Sequence, residues 1–178
     1  LYVPTVRGCR SENIVPGSEM DAPEDIMTTG ETISDWAVAN RGDFRGPQGL
    51  PILKPPYSQI VAIDMNTGEH IWAIPNGETP ERIKNHPALQ GVDIPTTGVQ
   101  SHPVTMVTET LLVTAEGGAG QAVLHAVNKA TGEKLGTVEL PAPGRYGMMS
   151  YLHDGQQYII VQISSSNYPG ALAALRLP

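Results

Sequence analysis

One eleven-residue segment occurs twice, and that repeat narrows the folds open to the chain more than any other feature. Ala62-Ile63-Asp64-Met65-Asn66-Thr67-Gly68-Glu69-His70-Ile71-Trp72 returns 64 residues later as Ala126-Val127-Asn128-Lys129-Ala130-Thr131-Gly132-Glu133-Lys134-Leu135-Gly136. Seven offsets are identical or chemically close: Ala, an aliphatic, Asp or Asn, Thr, Gly, Glu, and an aliphatic one before the end. Each copy reads as a hairpin whose Thr-Gly turn uses glycine for a positive φ. One sheet cannot bury both faces of such a hairpin, so a neighbouring sheet must cover it. Repeated hairpins of one type imply stacked or radially arranged sheets. The period is long for one such unit, and the loop between Pro75 and Gly98 accounts for the excess.

The remaining pattern agrees. Short aliphatic or β-branched runs at 58–64, 70–74, 104–107, 111–115, 122–128, 134–140, 147–152, 158–163 and 172–175 are bounded by Gly, Pro, Asn or Asp. Evenly spaced short strands point to a sandwich, barrel or propeller, and the repeat favours the propeller. Gly (19) and Pro (16) make up about a fifth of the chain, too many for a helical bundle. The expected fold is all-β, a partial β-propeller of four-stranded antiparallel blades with long loops. Two segments follow: 1–56, loop-rich with an opening strand at 1–6 and a helical turn near 33–39, and 57–178, carrying the blades. The first reads as a long surface excursion, or as a lid or partner-binding arm.

The bulk numbers exclude some partners. A net charge of −7 with scattered basic residues disfavours nucleic acid. No run of 18 apolar residues exists, and Leu1-Tyr2-Val3-Pro4 does not open like a signal peptide. Cys9 is the only cysteine, so no disulfide forms within the chain; it is a free thiol or pairs outside it.

The pattern Ala62-x-Asp64-x-x-Thr67-Gly68-x-x-x-Trp72 resembles the tryptophan-docking motif of the eight-bladed propellers of pyrroloquinoline-quinone (PQQ) dependent sugar and alcohol dehydrogenases. In that family the tryptophan lies across to the next blade and its N–H bonds a backbone group there, which fits Trp72. The second copy departs, with Gly136 at the tryptophan position. Lys54-Pro55-Pro56-Tyr57 resembles the lead into a late blade of membrane-type glucose dehydrogenases. Gly147-Met148-Met149-Ser150-Tyr151 with Asp154-Gly155-Gln156-Gln157-Tyr158 is similar to the family's closing hairpin, and 171–178 to its last strand. The resemblance covers residues 50–178 and implies the C-terminal blades of a dehydrogenase with PQQ and calcium in the intact protein. It implies a small sugar or alcohol substrate, a quinone or cytochrome electron acceptor, and a periplasmic location with membrane attachment through other parts. It also implies that the calcium ligands, the catalytic Asp and the remaining blades lie upstream or in another chain, so that no catalytic residue is expected here. Propellers of bacterial outer-membrane assembly carry similar repeats and bind proteins. A non-catalytic scaffold or interaction subunit with a degenerate pocket, gripping another chain through residues 7–49, is therefore the alternative.

Two loops correspond to the family's cofactor-facing segments. In Thr97-Gly98-Val99-Gln100-Ser101-His102-Pro103, Ser101 and His102 stand where the family has small residues. Gln100 and His102 are candidates to face the cofactor, and His102 is also readable as a loop histidine fixed before a proline. In Ser164-Ser165-Ser166-Asn167-Tyr168-Pro169-Gly170, Asn167 and Tyr168 are candidates, against an ordinary polar turn. The remaining features read as structural. Glu116-Gly117-Gly118-Ala119-Gly120-Gln121 opens no helix and reads as a flexible hairpin in place of a phosphate loop. His70, His86, His125 and His153 lack ligand-like spacing, so no metal residues are assigned. Asp21, Glu24 and Asp25 lack calcium-loop spacing, and Arg41-Gly42-Asp43 matches an adhesion tripeptide by chance.

Overall fold

A computed structural model describes residues 1–19 and 34–176. Among them the strands are β1 (Tyr2–Val6), β2 (Arg10–Pro16), β3 (Trp36–Asp43), β4 (Ser58–Ile63), β5 (His70–Pro75), β6 (Val104–Val107), β7 (Leu111–Ala115), β8 (Val123–Asn128), β9 (Lys134–Glu139), β10 (Gly144–His153), β11 (Gln156–Ser165) and β12 (Tyr168–Arg176). The one α-helix, α1 (Glu81–Lys84), is a single turn in the loop after β5. Every ladder is antiparallel. The sheets run β1-β4-β5, β6-β7-β8-β9, β10-β11-β12 and β2-β3. The chain is all-β and forms part of a propeller, but one sheet alone has the expected four strands; two have three.

Two units are distinct: Leu1–Arg7 with Lys54–Pro178, and Gly8–Leu53. The second holds the β2–β3 hairpin, paired from Arg10↔Asp43 to Pro16↔Trp36 with a bulge between Asn13 and Ile14. Its strand β3 corrects the helical turn expected near 33–39, and Arg41-Gly42-Asp43 ends that strand. Ala37 and Ala39 favour a helix, but Trp36 and Val38 favour a strand and the ladder to β2 satisfies the backbone groups in extended form. Asp21, Glu24 and Asp25 lie outside the described residues, as do Ile33 and the Leu177-Pro178 end.

In the larger unit the strands follow the aliphatic runs, and the middle sheet buries apolar side chains on both faces, one against each neighbour. Ile60, Leu112 and Val127 join the first sheet to the second, with Tyr2, Trp72 and Ile74 packed against them. Val113, Ala115, Leu124, Val161 and Ile163 join the second to the third. Ile60, Leu112 and Ile163 are almost fully buried, which contributes about 1.5–3 kcal/mol each.

The two repeat copies fold alike. The Asp64 carboxylate accepts from the Asn66 N–H at 2.8 Å, and Asn128 Oδ1 from the Ala130 N–H at 2.9 Å. Thr67 and Thr131 hydroxyls accept from the Glu69 and Glu133 N–H groups. Gly68 and Gly132 adopt φ of 77° and 78°. Ala62 opposes Trp72 as Ala126 opposes Gly136, with a register shift after each alanine. The half-buried Trp72 indole donates to the Lys129 carbonyl in the next sheet's turn at 3.1 Å. The Tyr2 hydroxyl donates to the same oxygen at 2.9 Å, its ring 5.6 Å from that of Trp72. A tryptophan on one sheet thus bonds the turn of its neighbour.

Candidate functional site

Antiparallel pairing brings the start of β4, the end of β5, the start of β6, the end of β7 and the start of β10 to one end of the sheets. Buried polar groups collect there. The Ser58 hydroxyl donates to the Ser101 carbonyl at 3.0 Å, and Asn76 Nδ2 donates to the Glu116 carbonyl at 3.0 Å. Ser101 Oγ accepts from the Ala119 N–H at 3.2 Å. These bonds tie the segment before β6 to the glycine-rich segment after β7. Gly98 sits at φ 70°, where a Cβ would strike the Ser58 carbonyl oxygen, so its freedom serves a backbone crossing.

The segment after β7 joins it to β8 as a hairpin connection, and it is packed around a buried carboxylate. Glu116 is 1% exposed. Its Oε1 lies 2.9 Å from His125 Nε2, and its Oε2 accepts from the Gln121 N–H at 2.8 Å. The other His125 nitrogen, Nδ1, lies 2.9 Å from the Thr137 hydroxyl. Burial pushes the Glu116 carboxyl up. The His125 hydrogen bond, the Gln121 N–H and the charges of His125 and Lys134 outweigh that push and hold it below its ordinary 4.5. Glycines admit this carboxylate: a Cβ on Gly77 would stand 2.6 Å from Glu116 Oε2, and one on Gly120 would strike the Glu116 Cβ. Sequence reasoning missed Glu116; the signal was a single acid ending an apolar strand and followed at once by glycines.

Beside this segment lies a cleft of about 720 Å³ whose lining includes Ser101, His102, Gly118, Arg145, Tyr146 and Met148. Arg145 and Tyr146 reach it through a register shift in β10 between Gly144 and Met148. Tyr146 takes φ 65° and is 78% exposed. Arg145 Nη2 donates to the Gly118 carbonyl at 3.4 Å, while its Nε is enclosed and has no partner. Of the predicted residues, His102 lines the cleft and is exposed. Gln100 is turned to β1, its Nε2 donating to the Arg7 carbonyl at 2.8 Å. Asn167 is exposed in the β11–β12 turn, its N–H donating to Ser165 Oγ at 3.3 Å. Tyr168 packs against the core between the second and third sheets. None of these three lines the cleft. His70 is exposed, His153 is exposed beside Asp154, and His86 Nδ1 accepts from the Ala88 N–H. Among the described residues no three His, Cys, Asp or Glu side chains stand together as metal ligands. No helix there is long and apolar enough to cross a membrane.

Comparison with known proteins supplies the context for this cleft. Residues 6–159 match the family model described as PQQ, glucose/ethanol/alcohol dehydrogenase, beta-propeller domain. The chain is 29% identical over 156 residues to the quinoprotein glucose dehydrogenase of Escherichia coli K12, covering 82% of this chain and 19% of that protein. It is 28% identical over 118 residues to quinoprotein glucose dehydrogenase A of Acinetobacter calcoaceticus, covering 66% and 14%. It is 30% identical over 130 residues to a probable quinate dehydrogenase (quinone) of Xanthomonas campestris pv. juglandis, covering 70% and 16%. The chain therefore spans about a fifth or less of the length of these relatives. With the family model matching most of its length and its antiparallel sheets packed face to face, the chain belongs to the β-propeller family of PQQ-dependent glucose, ethanol and alcohol dehydrogenases.

Proposed function

We propose that this chain forms one wall of the PQQ cavity of a dehydrogenase that oxidises a sugar or an alcohol. The cleft between the segment before β6 and the bulge of β10 is the observation that carries the reading. PQQ is a flat quinone bearing three carboxylates, and the residues present fit such a group. Arg145 Nε is an enclosed donor without a partner, and a Cβ on Gly118 would stand 2.5 Å from it, so only a glycine leaves room for the guanidinium. Bound PQQ supplies the two-electron acceptor. His102, Ser101 and Arg145 hold and orient, and Gly118 keeps the wall flat.

No Asp or Glu side chain lines the cleft, and in this reading the carboxylate base lies outside these residues. In this reading the calcium ligands, like the base, lie outside the residues described. The remaining blades or another chain complete the ring, a quinone or cytochrome accepts the electrons, and the protein works in the periplasm, attached to the membrane through other parts. The Trp72–Lys129 bond acts as a tryptophan-docking contact of that ring.

The purified chain is expected to retain PQQ in equilibrium dialysis. With PQQ, Ca²⁺ and either glucose or ethanol it is expected to leave a redox dye unreduced. Failure to retain PQQ would overturn the cavity-wall reading; dye turnover would overturn the placement of the base elsewhere. A second reading, a protein-binding propeller, is favoured by the exposure of Ile14 (62%), Trp36 (64%) and Phe44 (55%) in the Gly8–Leu53 unit.

A further inference from the structure

We infer that the β10 bulge builds a carboxylate-binding subsite, with Arg145 as the group that holds the anion. The inference deepens the cavity-wall reading and rests on it for the identity of the first ligand tried. Its physical basis is an uncompensated cation. Arg145 lies in no ion pair among the described residues. Glu116, across the glycine-rich segment, is engaged by His125 and the Gln121 N–H. A guanidinium presents five N–H donors; among the described residues its one acceptor is the Gly118 carbonyl, at the long distance of 3.4 Å, and Nε has none. Arg145 as a whole is half-buried and lines the cleft, so the guanidinium donors that Gly118 leaves free are the ones an anion in the cleft can meet.

The backbone is bent to make this presentation. β10 pairs β11 at Gly144↔Ile163 and again at Met148↔Val161, so three residues on β10 stand against one on β11. Tyr146 takes φ 65° within that bulge, a conformation costly for an aromatic residue. Bulges re-aim side chains beside functional sites. This one carries Arg145 against the Gly118 backbone and Tyr146 to the cleft's lip, 78% exposed and open to stacking on a flat ligand. His102 lines the same cleft from the segment before β6. The cleft is therefore fitted to a carboxylate, whether it belongs to the tricarboxylate quinone or to a hydroxy-acid substrate.

Isothermal titration of the wild-type chain, Arg145→Met and Arg145→Lys separates these sources, with near-UV circular dichroism to confirm that each variant is folded. The probes are PQQ, its trimethyl ester and quinate. Arg145→Met is expected to weaken PQQ about tenfold or more, as loss of a charge-assisted pair does, with Arg145→Lys intermediate and the ester indifferent to the substitution. A loss confined to quinate supports the subsite and assigns it to the substrate. Unchanged affinity of folded Arg145→Met for both acids overturns the subsite while leaving the cavity wall standing. Quinate binding that depends on Arg145, with no PQQ binding at all, keeps the subsite and removes the cavity wall. Binding of neither acid to the wild-type chain overturns both.

Discussion

Glu116 is the residue whose chemistry reaches furthest beyond its own contacts. Its carboxylate is buried, bonded to His125 and to the Gln121 N–H, and held below its ordinary 4.5. A carboxyl depressed in the folded state stabilises the fold fully above its unfolded value, and the benefit is lost as pH falls through the folded value. Unfolding free energy from urea titrations is therefore expected to fall more steeply for the wild type than for Glu116→Gln as the pH drops below the carboxyl's ordinary 4.5. Parallel curves for the two proteins would remove Glu116 from that role. At neutral pH Glu116→Gln is expected to cost about 1–3 kcal/mol, because a group that accepts only is replaced by one with its own N–H donors to satisfy. Little of this was legible in the sequence. Glycines on either side of a lone acid are the mark of flexibility as much as of close packing, and His125 comes to Glu116 through strand register. His102 was legible because it stands in a segment the family keeps small. Arg145 was not, because its neighbour Gly118 is 27 residues away in sequence.

At the scale of the element, the hairpins of the larger unit were the most legible part of the chain. Aliphatic runs bounded by turn residues located β6 and β7 to the residue, and the repeat located two equivalent turns. The β2–β3 hairpin was not legible, because Arg10-Ser11-Glu12-Asn13 carries no apolar alternation and its pairing is long-range. Trp72 is the element-level tie, and its contribution divides into burial and one hydrogen bond. Trp72→Phe, which keeps a ring and removes the N–H, is expected to cost about 1 kcal/mol. Trp72→Ala is expected to cost about 3 kcal/mol, the low end for an aromatic truncation because the ring is half-buried. Equal denaturation midpoints for Trp72→Phe and the wild type would mean that the Lys129 contact contributes nothing beyond packing.

The larger unit is held together at two seams, and they are built differently. At the first, Trp72 lies over Gly132, where an added Cβ would stand 2.9 Å from the indole Cδ2. At the second, the equivalent position is Gly136, which lines a cleft of about 690 Å³ with Val138, Ile159 and Leu175, and an added Cβ there meets nothing within 4 Å. The same substitution is therefore expected to have opposite signs at the two seams. Gly132→Ala, at φ 78° and against the indole, is expected to destabilise by about 1–3 kcal/mol. Gly136→Ala is expected to stabilise by about 0.5 kcal/mol through the unfolded state. Thermal unfolding of the two variants reads the contrast, and a loss of stability in Gly136→Ala would mean that the second seam is closed by something that occupies that space.

The tie between Trp72 and Lys129 lies at the opposite end of the sheets from the cleft that holds His102 and Arg145. The residues that fasten the first sheet to the second are therefore not the residues that line the cleft, so a substitution at His102 or Arg145 removes no part of the Trp72–Lys129 joint.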